Sequence, residues 1–391
     1  MTGLLEKLLG RLPIGWLQLS HSKGRLAAAI AGVAFANILI LMQLGFLGAL
    51  VGSIAVPYRQ FEADLIISSS DMNTLADGSP LPRQRMYQAL AVQGVRSATP
   101  VYLAKLDWKR PDGSVRTLDL FGIDPAVTTF RNPRIAARLP ELALSDVALI
   151  DSRTRNVPPE MFSAIGRGEQ YRFEAKGRTI SVVDTFVMGG GFSADGYLVV
   201  SDQTFLKLFP QRAPGAPNFI FVTLEPGASP QQVLAALRAV LPPDDSKVRP
   251  VAEAVAADQR FQTTQRPIGI IFGFGIVIGV LVGIIIVYQV LSTDVADHLR
   301  EYATFKAIGF PQRFFLGIVF EEALILALLG FVPGLLIALG LYTLVAGATG
   351  LPLAMTVERA VTVLGGTLVM CTLSGAIATR KLARANPADL F

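Results

Sequence analysis

The chain has 391 residues, of which 51% are hydrophobic and 17% charged, with a net charge of +5 and a mean hydropathy of +0.48. This is too apolar for an ordinary soluble protein. The basic residues are dispersed without aromatic interleaving, which argues against nucleic-acid binding.

Residues 1–25 open the chain. Leu4, Leu5, Leu8, Leu9 and Leu12 fall on one helical face, with Trp16 beyond Pro13, so this segment reads as an amphipathic N-terminal helix in the cytoplasmic interface. No charge lies between Arg25 and Tyr58, and residues 26–57 form a first transmembrane helix. The stretch is longer than the apolar region of a signal peptide, and no small-residue cleavage site follows, so it reads as an uncleaved anchor. At helical rise it measures about 46 Å, against a hydrocarbon core of about 30 Å, so it should tilt or project beyond the membrane.

Residues 58–266 hold most of the Lys and Arg and read as a folded α+β domain with room for two subdomains. Leu118–Ile123, Ile180–Phe186, Tyr197–Val200 and Asn218–Leu224 are strand-like, and Lys109–Gly113 makes a hairpin-like turn. After the Glu225-Pro226-Gly227 turn, Ser229-Pro230 caps a helix with Val233, Leu234, Leu237 and Val240 at helical spacing. Gly189-Gly190-Gly191, with Asp195-Gly196 beyond it, reads as a flexible loop. An Ala-rich helix over 250–264 feeds the second span.

That second span, 267–293, carries Gly275, Gly279 and Gly283 on one face, a stripe for helix packing within the chain or for a dimer seam. A loop at 294–313 follows. The third span, 314–346, begins at the interface, where Glu321 and Glu322 should snorkel. A short loop at 347–359 precedes the fourth span, 360–379, which holds the lone Cys371, and residues 380–391 form a tail.

Lys7, Arg11, Lys23, Arg25, Arg300, Lys306, Arg313, Arg380, Lys381 and Arg384 flank the spans on one side, whereas Arg359 alone occupies the short opposite loop. The positive-inside rule then places both termini and the 294–313 loop in the cytoplasm and the large domain outside.

Catalytic constellations are missing. The two histidines, His21 and His298, fall in separate segments, so neither a metal set nor a Ser-His-Asp arrangement can form around them. Glu174, Asp184 and Asp195 read as solvated acids. No G-x-x-x-x-G-K-[ST] occurs, so the chain has no P-loop for ATP. The first two spans hold nothing more polar than Asn37, Gln43 and Gln289, which argues against ion-coupled transport.

The 294–313 loop is the most informative segment. Leu299, Tyr302, Ala303, Lys306 and Ala307 share a helical face, and Gly309 ends the helix. Its mixed charges favour a protein partner over lipid.

Glu301–Gly309 resembles the "E-x-x-x-x-K-A-x-G" stretch of the FtsX-like permeases, the family of the MacB and LolC/LolE transporters, where it forms a cytoplasmic coupling helix. Further pieces resemble the DevC permeases of DevBCA exporters: Ala34–Ala36, Met42–Phe46, Ile286–Leu291, Thr293–Val295, Asp297–Thr304 and the ending Asn386–Phe391. The resemblance implies an α-helical membrane protein with four transmembrane helices and a large α+β periplasmic domain between the first and second, the type VII ABC layout of MacB. It implies a non-catalytic permease homodimer in the bacterial inner membrane, coupled to a separate cytoplasmic ABC ATPase. The cofactors, ATP and Mg, would be bound by that partner and none by this chain.

The residues implied for ATPase docking are Asp297, His298, Leu299, Glu301, Tyr302, Lys306, Ala307 and Gly309. A periplasmic adaptor and a TolC-like outer-membrane channel are further implied partners, exporting lipids, glycolipids or other amphiphiles. The alternative is an FtsX-like signalling subunit that controls a periplasmic cell-wall hydrolase, and a membrane-anchored hydrolase is a third reading.

Overall fold

The computed structural model describes residues 14–110 and 112–384. The leucine face at residues 4–12, Pro111 of the hairpin turn and the ending Asn386–Phe391 lie outside the described residues.

The chain divides into two compact units, one made of residues 48–269 with 346–352, the other of the remaining chain. The first is an α+β domain on a mixed nine-stranded sheet, ordered β5-β6-β4-β7-β3-β2-β8-β1-β9. Its strands are β1 (Leu65–Ser69), β2 (Val95–Lys109), β3 (Val115–Ile123), β4 (Val147–Asp151), β5 (Tyr171–Ala175), β6 (Arg178–Phe186), β7 (Gly196–Ser201), β8 (Phe219–Leu224) and β9 (Ser246–Pro250). β2 and β3 form the long antiparallel hairpin across the turn read from sequence. β3 runs parallel to β7 and β4 parallel to β6, each pair joined through a crossover.

Strand alternation distributes the core over both sheet faces. Val101, Leu103, Phe121, Ile123, Tyr197 and Val199 point to one face; Tyr102, Leu118, Leu120, Leu198 and Val200 point to the other. Central strands are therefore covered on both sides, and β3 from Leu118 to Ile123 is buried throughout.

Helices α1 (Ile14–His21) and α2 (Lys23–Gln60) precede the sheet. Within the domain come α3 (Gln84–Leu90), α4 (Pro133–Leu142), α5 (Pro159–Gly166), α6 (Asp202–Leu208), α7 (Pro230–Val240) and α8 (Val251–Thr264). After it follow α9 (Pro267–Asp297), α10 (Leu299–Ile308), α11 (Gln312–Thr349) and α12 (Val357–Arg384). Among the described residues, four helices are long and apolar enough to cross a membrane: Lys23–Gln60, Pro267–Asp297, Arg313–Thr349 and Val357–Ala378.

Several expectations need correction. The domain takes in the last turns of α2, since Tyr58 is 1% exposed in its core and donates to Oδ2 of Asp258 at 3.1 Å. Its compact unit thus begins ten residues before 58, at Gly48, and claims part of the 347–359 loop. Ser229 holds the N-cap position of α7 but makes no capping bond; its hydroxyl turns to the Gln231 side chain. The glycine run is pinned, because the Asp151 carboxylate accepts from the amides of Met188 (2.9 Å) and Gly189 (2.6 Å), and the Arg155 guanidinium donates to the carbonyls of Gly191 and Ala194. Glu321 and Glu322 do not snorkel: they are 6% and 0% exposed, and the backbone amide of Trp16 in α1 donates to Oε1 of Glu321 at 3.4 Å.

Candidate functional site: the α10 loop

Between the long apolar helices α9 and α11, the chain folds into the short helix α10 and closes it at Gly309, whose φ of +103° lies where a side chain would be strained. Phe310 then turns back, its amide donating to the carbonyl of Phe305 at 3.1 Å. Phe305, Phe310 and Phe314 pack edge to face or tilted against one another and brace the turn into α11.

Tyr302 anchors the helix. Its ring is 1% exposed and meets Phe315 edge-on at 5.6 Å, and its hydroxyl donates to Oε1 of Gln18 in α1 at 3.0 Å. Burial, and after it the carboxyls of Glu322 and Asp294, push the Tyr302 phenol above its ordinary range, so it stays a neutral donor. Tyr302 therefore does not present itself to a docking partner, as its place on the amphipathic face had suggested.

The outward side is different. Glu301, Thr304, Ile308 and Phe310 are exposed, Ile308 by 69%. An exposed isoleucine and phenylalanine beside a carboxylate are unusual for a short connecting helix and suit a partner surface. At the end of α9, Asp297 pairs with Arg25 of α2 at 2.5 Å, and Nδ1 of His298 lies 3.1 Å from the Asp294 carbonyl. Asp294 is 2% exposed, contacts Glu322 side chain to side chain and lies 3.9 Å from Arg25. The side chains of Leu299, Lys306 and Ala307 lie outside the described residues. Thus Tyr302 reaches α1 and Asp297 reaches α2, whereas Glu301 is exposed.

The glycine stripe of α9 faces the other long apolar helices of the same chain. A Cβ on Gly275 would meet Gln43, one on Gly279 would come within 2.8 Å of Ile40, and one on Gly283 would meet Met370 and Ala36. Small residues thus bring α9 against α2 and α12.

Sequence reasoning missed Gln18 and Arg25 as partners of the loop. Their signal was weak, since neither lies in a recognisable pattern, and α1 is short.

Residues 270–387 match the FtsX-like permease C-terminal family. That region contains α10, α11, α12 and nearly all of α9. No curated protein matches the chain. Among solved structures, the periplasmic region of MacB from Actinobacillus actinomycetemcomitans is similar at 11% identity and a TM-score of 0.33, over 50% of this chain and 91% of that one. The extracellular domain of the noncanonic ABC-type transporter YknZ from Gram-positive bacteria is similar at 13% identity and a TM-score of 0.31, over 48% and 98%.

Proposed function

We propose that this chain is the permease subunit of an ABC system of the MacB and DevC kind, acting as a homodimer with a separate cytoplasmic ATPase. The observation that carries the reading is the FtsX-like match over 270–387 together with the α10 helix that lies inside it, which is closed by Gly309 and exposes Glu301 and Ile308. The Lys and Arg distribution supports a cytoplasmic α10 and a periplasmic sheet domain.

In this reading the ATPase pushes on α10. Tyr302 ties that helix to α1 and α11, so a displacement would pass into the membrane helices rather than dissipate in a loose loop. α2 is one continuous helix whose last turns are built into the core of the sheet domain, which suits it to act as a lever. The domain, with a periplasmic adaptor and a TolC-like channel, would then move lipids, glycolipids or other amphiphiles taken from outside the membrane. ATP and Mg would be held by the partner, and this chain would carry no catalytic step.

The test is affinity purification of the tagged chain from native membranes in gentle detergent, with mass spectrometry of what accompanies it. An ATPase with a periplasmic adaptor is the expected result. An ATPase with a cell-wall hydrolase would favour the signalling alternative, and no ATPase at all would overturn the ABC reading.

A further inference from the structure

The sheet domain contains a cavity of about 530 Å³, a size that suits a drug-sized ligand. Part of its wall is apolar, with Leu50 and Ile54 from the end of α2, Leu75, Leu103, Phe121 and Ile268 there. Three carboxylates line it, Asp77, Asp119 and Asp258, together with the cations Lys105 and Arg266. Asp119 sits in the middle of β3, opposite Lys105 of β2 and Tyr197 of β7. Asp258 projects from α8, where its Oδ2 accepts from the Tyr58 hydroxyl and from the Leu75 amide at 3.0 Å.

Asp119 is the anomaly. It is 7% exposed, and its Oδ1 has no hydrogen-bond partner among the described residues. Burying a carboxylate oxygen without a partner is unfavourable. The nearby cations are engaged: the Lys105 ammonium donates to the Ser193 carbonyl at 2.9 Å, and Arg266 pairs with Asp77 at 2.9 Å. Burial pushes both Asp119 and Asp258 up to about 6, Lys105 opposing this at Asp119 and the Leu75 amide and Tyr58 opposing it at Asp258, with Asp77 adding to it there.

We propose that this cavity binds a cationic amphiphile, its apolar body against Leu50, Ile54 and Phe121 and its protonated amine on the Asp119 carboxylate. A cation would supply the missing partner of Oδ1 in a site already shielded from water, where such a charge-assisted bond is strong. A fatty acid or phosphate headgroup would instead face three carboxylates, with Lys105 and Arg266 already engaged by Ser193 and Asp77. The inference deepens the exporter reading by naming the kind of amphiphile, and it rests on that reading only for its relevance to transport.

The experiment uses the full chain in nanodiscs without any ATPase, so that failure here is separable from failure of ATPase docking. The probe is a diazirine-bearing octylamine, compared with the corresponding alcohol and carboxylate, with labelled peptides read by mass spectrometry. The amine should label residues 50–57 and 191–193 saturably, at a concentration at least tenfold below that needed by the alcohol. Asp119→Asn should weaken amine labelling at least tenfold and leave the alcohol unchanged, and Ala76→Trp at the exposed rim should block both. At pH 5, with Asp119 and Asp258 largely protonated, wild-type labelling by the amine should fall toward that of the alcohol. Equal labelling by amine and alcohol, preference for the carboxylate, or an unchanged Asp119→Asn would overturn the assignment. If Asp119→Asn lowers the melting temperature so far that the protein unfolds, the amine–alcohol comparison on the wild type decides.

Discussion

The Tyr302 hydroxyl donates to the side chain of Gln18 at 3.0 Å, and so a residue of α1 holds the helix between two long apolar helices. Removing that bond alone should be mild. Tyr302→Phe keeps the ring against Phe315 and should cost about 1 kcal/mol, whereas Tyr302→Ala empties a buried aromatic site and should cost about 3 to 5 kcal/mol. Thermal unfolding of both variants in detergent checks the ordering. A larger loss for Tyr302→Phe than for Tyr302→Ala would show that packing is not what holds α10.

Gly309 carries the turn out of α10 at φ +103°, and nothing lies within 4 Å of where a Cβ would stand. The penalty for a side chain is therefore one of backbone conformation and not of space. Gly309→Val should cost about 1 to 3 kcal/mol and loosen Ile308 and Phe310. Hydrogen exchange over 305–312 should rise while the sheet domain is unaffected.

The α9 glycines allow a contrast within one helix. Gly279→Val would drive a side chain into Ile40 and should cost about 1 to 3 kcal/mol, visible as a lower melting temperature. Gly273→Val meets no atom within 4 Å of its Cβ and should be nearly neutral. Equal effects would mean that α9 does not pack on α2 through this stripe.

Much of this fold was legible from sequence. Runs such as Leu118–Ile123 and Ile180–Phe186 combine β-branched and aromatic residues between turn signals, helical spacing marked α7, and Ala content marked α8. Two kinds of feature were not legible. The first depends on partners distant in sequence: Glu321 and Glu322 looked like snorkelling acids because nothing local shows that α1 covers them. The second is Asp119, where a carboxylate interrupts Leu118-x-Leu120-Phe121. Alternation would have excused it as the solvent face of a half-buried strand, and only the two-sided burial of β3 makes it exceptional.

Those buried acids also set a pH dependence. Asp119 and Asp258 hold a proton more tightly in the folded chain, at about 6, than in the unfolded chain at 3.8. The stability this contributes is complete below 3.8 and is lost as pH rises through 6. Acidification from pH 7 to pH 5 should therefore stabilise the sheet domain by about 1 kcal/mol per carboxyl. Unfolding of the wild type and of Asp119→Asn across that range checks the sign: the variant should gain less than the wild type.

The central claim is that the outward side of α10 meets a cytoplasmic ATPase. A photo-crosslinking amino acid placed at Ile308, with a control at the exposed Leu144 of the sheet domain, tests it in intact cells. The account predicts a crosslink from position 308 to an ABC ATPase, lost on adding Glu301→Lys, and no such product from position 144. An Ile308 probe that captures no ATPase, or captures one equally well from position 144, would contradict it.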